Sequence, residues 1–381
     1  MSNGRNWTAL CAAVVLMGFV VSIPLCAADA GVKSKGAARF LKNAQQGDLK
    51  MKSAGHLSFG PDGLLLATDA DSVVAIDTGD LGPLRKLKQP IPDITKLLAA
   101  STGARSVKVV DMAVNPLSGT IYFSISRQPG NQPAILTVDG NGKVGRLSTA
   151  KLSHARVTLP GDEGAKVSRI TGVGFAEDRV LAAGQSGKAF ASKIYSIPLP
   201  ITHGASADIY SAETYHVSHS RWETRAPIQA FIPFREKGKS YIVGSFACTP
   251  IAKFPLDDLK SGAKVVGTSV VELGSGNRPL DMFTYKKNGK RWVVTNTLRF
   301  HKNLFGPSKY WGVRLDMAYL TAEKVNENAA RRNTKSQSGP KGIEVVKSLF
   351  GAIEVSKLND DEMVVLRDSS GKLTLELAPL P

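Results

Sequence analysis

Cysteine is scarce in this chain of 381 residues, which contains three of them. Cys11 and Cys26 fall in an apolar N-terminal segment with the features of an export signal, so Cys248 would be the cysteine left after cleavage. No disulfide can then form within the mature chain. Because free cysteines are often core residues, we expect Cys248 to be a buried, unreactive thiol rather than a redox or intermolecular one.

The sequence also lacks the short motifs that identify several large enzyme classes. It contains no Cys-x-x-Cys-His haem attachment, no His-Glu-x-x-His zinc helix, no Gly-x-Ser-x-Gly nucleophile turn and no phosphate-binding loop. His216 and His219 are three residues apart on a predicted strand or loop, where that spacing directs them to opposite faces. A zinc site at this pair is therefore not expected.

Acidic residues are the minority charge, with 32 Asp and Glu against 49 Lys and Arg and a formal net charge of +17. A basic balance favours anionic partners and says nothing about the fold. We interpret residues 321–342 as a flexible basic insertion. Because no aromatic residues are interleaved with its charges, nucleic acid is disfavoured. An anionic ligand or a protein partner is expected instead.

The N-terminus predicts export. An apolar stretch over Thr8–Leu25 follows Arg5 and precedes the small residues of a cleavage site, which predicts a signal peptide at residues 1–28. The mature protein would then be periplasmic or secreted. The apolar run is long for a signal peptide, so an uncleaved membrane anchor is the alternative and would be the membrane contact of the protein. Residues 29–381 are interpreted as one domain and a monomer.

The dominant pattern in the rest of the chain is a repeating unit, seen first at His56–Thr78: an apolar run, a Pro-Asp-Gly turn, a second run, another turn and a third run. Six such units follow one another at steps of roughly 50 to 70 residues, a period typical of repeated supersecondary structures. Their first runs are Leu57–Phe59, Met112–Val114, Gly172–Phe175, Ala230–Ile232, Met282–Thr284 and Ala352–Val355. This repetition predicts an all-β fold, a six-bladed β-propeller.

Each blade needs an outer fourth strand, and Leu84–Leu87 is predicted to supply it in the first unit. The sixth unit reaches Pro381 without one, which would leave a strand edge open to aggregation. The segment Asp48–Ser53, just before the first run, is free to cover that edge. We therefore predict a propeller closed by an N-terminal strand on its last blade.

Three segments carry a family resemblance: Pro227–Ile232, Asn277–Phe283 and the turn at Phe59–Gly63. They resemble the six-bladed propellers of the regucalcin, gluconolactonase and strictosidine synthase group, and equally the NHL-repeat propellers. The first group implies a calcium ion held by Glu, Asn and Asp side chains at the starts of the inner strands. The corresponding positions here are Gly55, Val110, Thr171, Ile228, Leu280 and Gly351. They offer few oxygen ligands, so no metal or cofactor is favoured, and calcium is the alternative.

One residue further along each inner strand, polar side chains occur in four of the six units. These positions are His56, Asp111, Gly172, Gln229, Asp281 and Ala352. They form either a ring of metal or ligand contacts or the polar wall of a water-filled channel. Asp111 and Asp281 are the candidate catalytic carboxylates, as metal ligands or general bases, with His56 or His301 as the acid/base.

The longer predicted loops open on one face of the propeller, where binding residues usually lie. Arginine together with aromatic residues is typical of a binding surface. The candidate ligand-binding residues of this face are Gln229, Arg278, Arg225, Arg221, Trp222 and Arg299.

Two functions therefore remain open. The first is an exported propeller that binds an anionic ligand or protein partner on its long-loop face, without catalysis of its own. The alternative is a propeller enzyme, either a lactonase-like hydrolase or a sugar oxidoreductase, with its site in the central channel. A channel lined by Asp111 and Asp281 with a raised carboxylate pKa would favour the enzyme, and a channel filled by apolar side chains would count against it.

Overall fold

The computed structural model describes residues 36–147, 152–247, 250–257, 259–274, 276–300, 306–327 and 343–381. The predicted signal segment, Cys248, His301 and most of the basic insertion lie outside these ranges. Within the described ranges, none of the helices combines the length and the apolar character that crossing a bilayer requires. The described residues form an all-β fold in a propeller-like arrangement.

After the first 3₁₀ helix, the described part of the chain continues with two short strands, a meander and an α-helix. They are β1 (Leu41–Lys42), β2 (Gln45–Gln46), β3 (Leu57–Phe59), β4 (Leu64–Asp69), β5 (Ser72–Asp77) and α1 (Ile94–Thr102). A second meander follows as β6 (Ser106–Val114), β7 (Ile121–Gln128), β8 (Gln132–Val138) and β9 (Val144–Arg146). The chain then returns to the first meander, where β10 (Ser153–Thr158) pairs with β5 and β2 pairs with β10. The sheet β6–β9 is thus inserted between the third and fourth strands of the first sheet.

Two further meanders join into one nine-stranded sheet. Its strands are β11 (Arg169–Ala176), β12 (Arg179–Gln185), β13 (Ser192–Pro198), β15 (Asp208–His216), β16 (Arg221–Glu223), β17 (Ile228–Glu236), β18 (Lys239–Phe246), β19 (Pro250–Pro255) and β20 (Lys264–Glu272). The short strand β14 (Ile201–Thr202) instead pairs with β1. The two meanders meet where β15 and β20 pair in parallel.

The last two sheets are smaller. One contains β21 (Asn277–Lys287), β22 (Lys290–Arg299), β23 (Tyr310–Asp316) and β24 (Ile343–Val345), and the other contains β25 (Ala352–Lys357), β26 (Glu362–Ser369) and β27 (Lys372–Pro379). Short 3₁₀ helices occur at Ala37–Phe40, Pro61–Gly63, Met317–Thr321 and Lys347–Leu349. Four sheets therefore stand as separate blades beside the nine-stranded sheet, rather than as the six separate sheets that the repeat predicts.

The middle strands are buried on both faces, so they read as continuous apolar runs rather than as alternating ones. Every residue of β4 is buried. Leu64 and Leu66 pack into the cluster shared with the β11–β15 sheet, whereas Leu65 and Ala67 pack into the cluster shared with the β6–β9 sheet. Comparable clusters fill the spaces between the other neighbouring sheets.

The first strands of the sheets follow one another in a closed circuit that departs from chain order. Strand β3 contacts β11, which contacts β17, and the contacts continue through β21 and β25 to β6, which returns to β3. The inserted sheet β6–β9 therefore lies between the first sheet and the last one. The predicted outer strand at Leu84–Leu87 is wrong, because no strand forms there and β10 pairs with that edge of β5.

The prediction that Asp48–Ser53 closes the propeller as a strand on the last blade is not confirmed. This segment forms no strand, because the backbone N–H groups of Lys52 and Ser53 donate to the carboxylate of Asp69 at 2.8 and 2.7 Å. The edge of β27 is covered instead by the segment before α1, where Ile91 and Leu375 exchange two backbone hydrogen bonds of 2.8 and 3.0 Å. Helix α1 packs against the same strand.

Asp69 anchors residues 49–53, which precede the first sheet, to that sheet. Its carboxylate is fully buried and accepts a 2.6 Å hydrogen bond from Nη1 of Arg156, whose Nη2 donates to the backbone oxygen of Leu49 at 2.9 Å. Removing one member of a buried charge pair leaves the other charge uncompensated.

We expect Asp69→Ala to lower the free energy of unfolding by about 3–5 kcal/mol, because the mostly buried charge of Arg156 would lose its partner and the N–H groups of Lys52 and Ser53 would lose their acceptor. The matched control is Asp178→Ala, which removes a 2.7 Å contact with Arg179 from a carboxylate that is 60% exposed. That change should cost about 1 kcal/mol or less. Urea denaturation of both variants measures the difference, and equal losses would contradict the anchoring role of Asp69.

Candidate functional site

The first strands of the sheets enclose a central channel with a cavity of about 490 Å³. Its wall is built from residues 56–59 of β3 and its flank, 111–114 of β6, 171–175 of β11, 229–233 of β17, 280–284 of β21 and 355–357 of β25. Six strands thus contribute residues to one cavity, and such a cavity is a common location for a ligand site.

Five of these strands carry a register shift in their pairing with the second strand of the sheet. The shifts lie between Val109 and Asp111, Ile170 and Gly172, Ile228 and Ala230, Pro279 and Met282, and Ala352 and Glu354. An extra residue in one strand of an antiparallel pair bends the strand and changes the direction of its side chains. The shifts coincide with the polar residues of the channel wall, so they govern which side chains point inward.

Three carboxylates from three different strands converge beside the channel. Asp111, Asp281 and Glu354 each place an oxygen within 4.8 Å of the other two. These residues lie on β6, β21 and β25, which are neighbours in the circuit of first strands. The three carboxylates therefore lie on one half of the circuit of first strands.

Backbone N–H groups fix two of the three carboxylates. Asp111 is 6% exposed and accepts hydrogen bonds from the N–H groups of Leu57 at 2.6 Å and Met112 at 2.9 Å. Asp281 accepts one from the N–H of Val355 at 2.9 Å. Such bonds stabilise the charged forms, so they oppose the mutual repulsion of the cluster.

Burial and mutual repulsion shift the proton affinity of the cluster. Burial, followed by the charge of Asp111, raises the pKa of Asp281 to about 7. Burial and the charges of Asp281 and Asp111 likewise raise the pKa of Glu354 well above its usual range. Without a positive counter-charge, the cluster thus retains protons at a pH where isolated carboxylates are ionised.

His56 stands beside this cluster. Its Nδ1 lies 3.4 Å from Oδ2 of Asp111, and its side chain is 35% exposed. Burial alone would lower the pKa of His56, but the hydrogen bond and charge of Asp111, with the charge of Asp281, outweigh burial and raise it. The positive charge of Arg278 opposes this increase. The ring is therefore placed to exchange a proton beside the carboxylates.

Arg278 of β21 contacts β17, the neighbouring first strand. Its Nε donates to Oε1 of Gln229 at 3.1 Å, and Gln229 is 5% exposed. Burial, with the charge of Arg278, lowers the pKa of Arg169. Backbone pairing of Asn277 with Arg299 brings a further arginine to the end of the neighbouring strand.

The other predicted ligand-binding residues lie away from the channel wall. Arg221 and Trp222 belong to β16 and pair with His216 and Tyr215 of β15. Trp222 is 43% exposed and stacks edge-on with Tyr215 at 5.8 Å between ring centroids. The backbone oxygen of Arg225 accepts a 2.8 Å hydrogen bond from Nε2 of Gln185. His301 lies outside the described residues.

Glu354 was not predicted as a site residue. Equal spacing of the units assigns Ala352 to its position, and the register shift between Ala352 and Glu354 displaces the inward side chain by two residues. A signal was present in the sequence, because an ionisable residue in the middle of the apolar run Ala352–Val355 is rarely buried without a charge partner or a function.

No protein-family model and no curated protein matches this chain. Among solved structures, the xyloglucan PUL GH43B protein of Bacteroides ovatus is 11% identical over 71% of this chain and 52% of that one, with a TM-score of 0.35. The GH43 protein BlXynB of Bacillus licheniformis is 12% identical with the same coverage and TM-score. The chain thus spans about half the length of these two proteins.

A third solved structure is similar over a larger share of its length. It is described as an oxidoreductase (glucose dehydrogenase) from Thermus thermophilus and is 11% identical to this chain. The match covers 88% of this chain and 99% of that one, with a TM-score of 0.29.

The shifted pKa of Asp281 predicts how stability depends on pH when divalent cations are removed. Because the folded state keeps a proton on Asp281 up to about pH 7, whereas its usual value is 3.8, the free energy of unfolding should fall as pH rises through that window. Asp281→Asn should make the fall shallower. Urea denaturation in chelator at several pH values measures it, with Glu344→Gln, a 52% exposed carboxylate, as the control. If the free energy of unfolding fell as steeply with pH in Asp281→Asn as in the original protein, the titration of Asp281 would not be the cause of the fall.

Proposed function

We propose that this chain is a six-bladed propeller that binds an anionic ligand at one end of its channel with the help of a divalent cation. Calcium is the cation that the ligand set favours. The observation that carries the proposal is the convergence of the Asp111, Asp281 and Glu354 carboxylates within 4.8 Å.

The strand pairing supports a count of six blades. The nine-stranded sheet divides at the parallel contact of β15 with β20 into two antiparallel meanders. Together with the four separate sheets, this division gives six first strands, and each of them contributes residues to the channel wall. A ring of this kind holds its site on short, rigid strand ends rather than on loops.

The ligand chemistry supports calcium. Carboxylate oxygens suit calcium, magnesium and manganese, whereas thiolate and imidazole ligands suit zinc and copper. Calcium binds oxygen at about 2.3–2.6 Å, so two ligands on opposite sides of the ion are about 5 Å apart. The spacing of the carboxylates fits that limit. A bound dication would also supply the positive charge that buried, repelling carboxylates require.

Positive charge beside the carboxylates supports an anionic ligand. Arg278 lies against Gln229 and interacts with both His56 and Arg169, so guanidinium groups border the acidic half of the wall. The formal net charge of the chain, +17, would attract anions from a distance. A carboxylate or phosphate group of the ligand would then meet the cation on one side and Arg278 on the other.

The metal proposal is tested by titrating the full chain with calcium after removal of divalent ions. We expect one calcium per chain by isothermal titration and by elemental analysis. Asp281→Asn and Glu354→Gln should each weaken binding by at least tenfold, because each removes one of three anionic ligands. Glu344→Gln is the matched control, since it neutralises an exposed carboxylate paired with Arg314. Stoichiometric binding that is unaffected in both channel variants would contradict this site.

His56 supports a second candidate, a hydrolase of lactones or esters. Its ring contacts Asp111 at 3.4 Å and is partly exposed to the channel, so it can accept a proton from water while Asp111 orients it. The residues that would then act on a substrate are His56 as the base and Arg278 as the group that binds the developing negative charge.

The hydrolase candidate predicts calcium-dependent opening of glucono-δ-lactone. His56→Gln should lower the rate by about 10²-fold or more, the usual contribution of a general base, and leave calcium affinity unchanged. His219→Gln is the control, because that histidine is exposed and lies outside the channel wall. A calcium-loaded protein that leaves the lactone intact would contradict the hydrolase and leave the binding function standing.

A further inference from the structure

Four strands of the channel wall also contribute a phenylalanine, and these aromatic residues form a second layer. Phe59, Phe175, Phe231 and Phe283 line the same cavity as Asp111 and Asp281, and each is half-buried. They stand two or three residues after His56, Gly172, Gln229 and Asp281 of their own strands. At about 3.3 Å per residue, this places the aromatic layer about 7–10 Å further along the channel.

Phe231 is the ring that the neighbouring strand is shaped to accept. Side chains on Gly172 and Gly174 of β11 would place their Cβ atoms 3.2 and 3.3 Å from the Phe231 ring. Because these positions are glycines, the ring rests directly on the β11 backbone instead of being pushed into the cavity. The described residues that line the channel on β11 and β17 carry no charge.

The chemistry of the wall therefore changes along the channel. It also differs between the strands on opposite sides of the channel. The carboxylates lie on β6, β21 and β25, whereas the Gly-Val-Gly segment and Phe231 lie on β11 and β17, across the circuit of first strands. The exposed part of a half-buried aromatic ring is in contact with water. Covering that surface with an apolar ligand is favourable, because it removes apolar area from water. Ligand sites generally combine such apolar walls with a few converging polar groups.

We propose that the ligand is an amphiphile, with an anionic head at the carboxylate end of the channel and an alkyl or aryl body along Phe231. The inference rests on the proposed function, because the head requires the cation and Arg278. It adds the substrate class: carboxylate- or phosphate-bearing compounds with an apolar body, rather than small hydrophilic sugar acids.

A series of carboxylates of increasing length tests the inference. The calcium-loaded full chain is titrated with acetate, butyrate, hexanoate and 3-phenylpropionate by isothermal titration calorimetry. We expect the affinity to increase about fourfold for each methylene that becomes buried, which gives about 15-fold from butyrate to hexanoate. Equal affinity for acetate and hexanoate, with calcium bound, would overturn the amphiphile and leave the cation site intact.

Substitutions of Phe231 test where the apolar part of the ligand binds. Phe231→Ala should abolish most of the increase with chain length and keep calcium affinity, whereas Phe231→Leu, which retains an apolar side chain, should give an intermediate increase. Phe190→Ala is the matched control, because that ring contacts Trp222 rather than the channel. A chain-length series in Phe231→Ala that matches the original protein would overturn the assignment. Failure to bind calcium in the original protein would instead contradict the proposed function.

Discussion

The repulsion among three carboxylates, one buried and two half-buried, is the constraint on which the site depends. Asp111, Asp281 and Glu354 approach within 4.8 Å, so they cannot all carry a charge without compensation. Backbone N–H groups donate to Asp111 and Asp281, and these bonds set the positions of the carboxylates without cancelling their charge. The remaining compensation has to come from protons or from a cation, and burial with the charge of Asp111 accordingly raises the pKa of Asp281 to about 7.

The strand irregularities are what bring the carboxylates together. In a regular strand, successive side chains alternate between the two faces, so a polar residue in an apolar run would point into a core on one face or the other. The shifts before Asp111 and Glu354 and around Asp281 change this alternation locally, near the channel. Such bulges commonly redirect side chains beside functional sites. The rest of each strand can then remain apolar and buried on both faces.

Much of this could be predicted from the sequence, because the repeat depends on local patterns. The six apolar runs and their turns give the first strands, and they place His56, Asp111, Gln229 and Asp281 at comparable positions. Glu354 was missed because the bulge that shifts the register breaks the equal spacing of the units, although an ionisable residue within an apolar run was visible in the sequence. The pairing of β10 with β5 was not predicted, because pairing between distant segments depends on tertiary contacts. The unpaired edge of β27 was recognised, but the residues that cover it, at Ile91 and α1, were not.

The insertion of the sheet β6–β9 explains why the three carboxylates are neighbours. If the sheets followed chain order, β3 would separate β25 from β6, and Asp111 would stand one strand further from Glu354. Because the inserted sheet lies between the last sheet and the first, β21, β25 and β6 are consecutive and β3 follows with His56. The opposite strands, β11 and β17, are left to carry glycines and Phe231. One departure in connectivity thus separates the strands around the channel into an acidic half and an uncharged half.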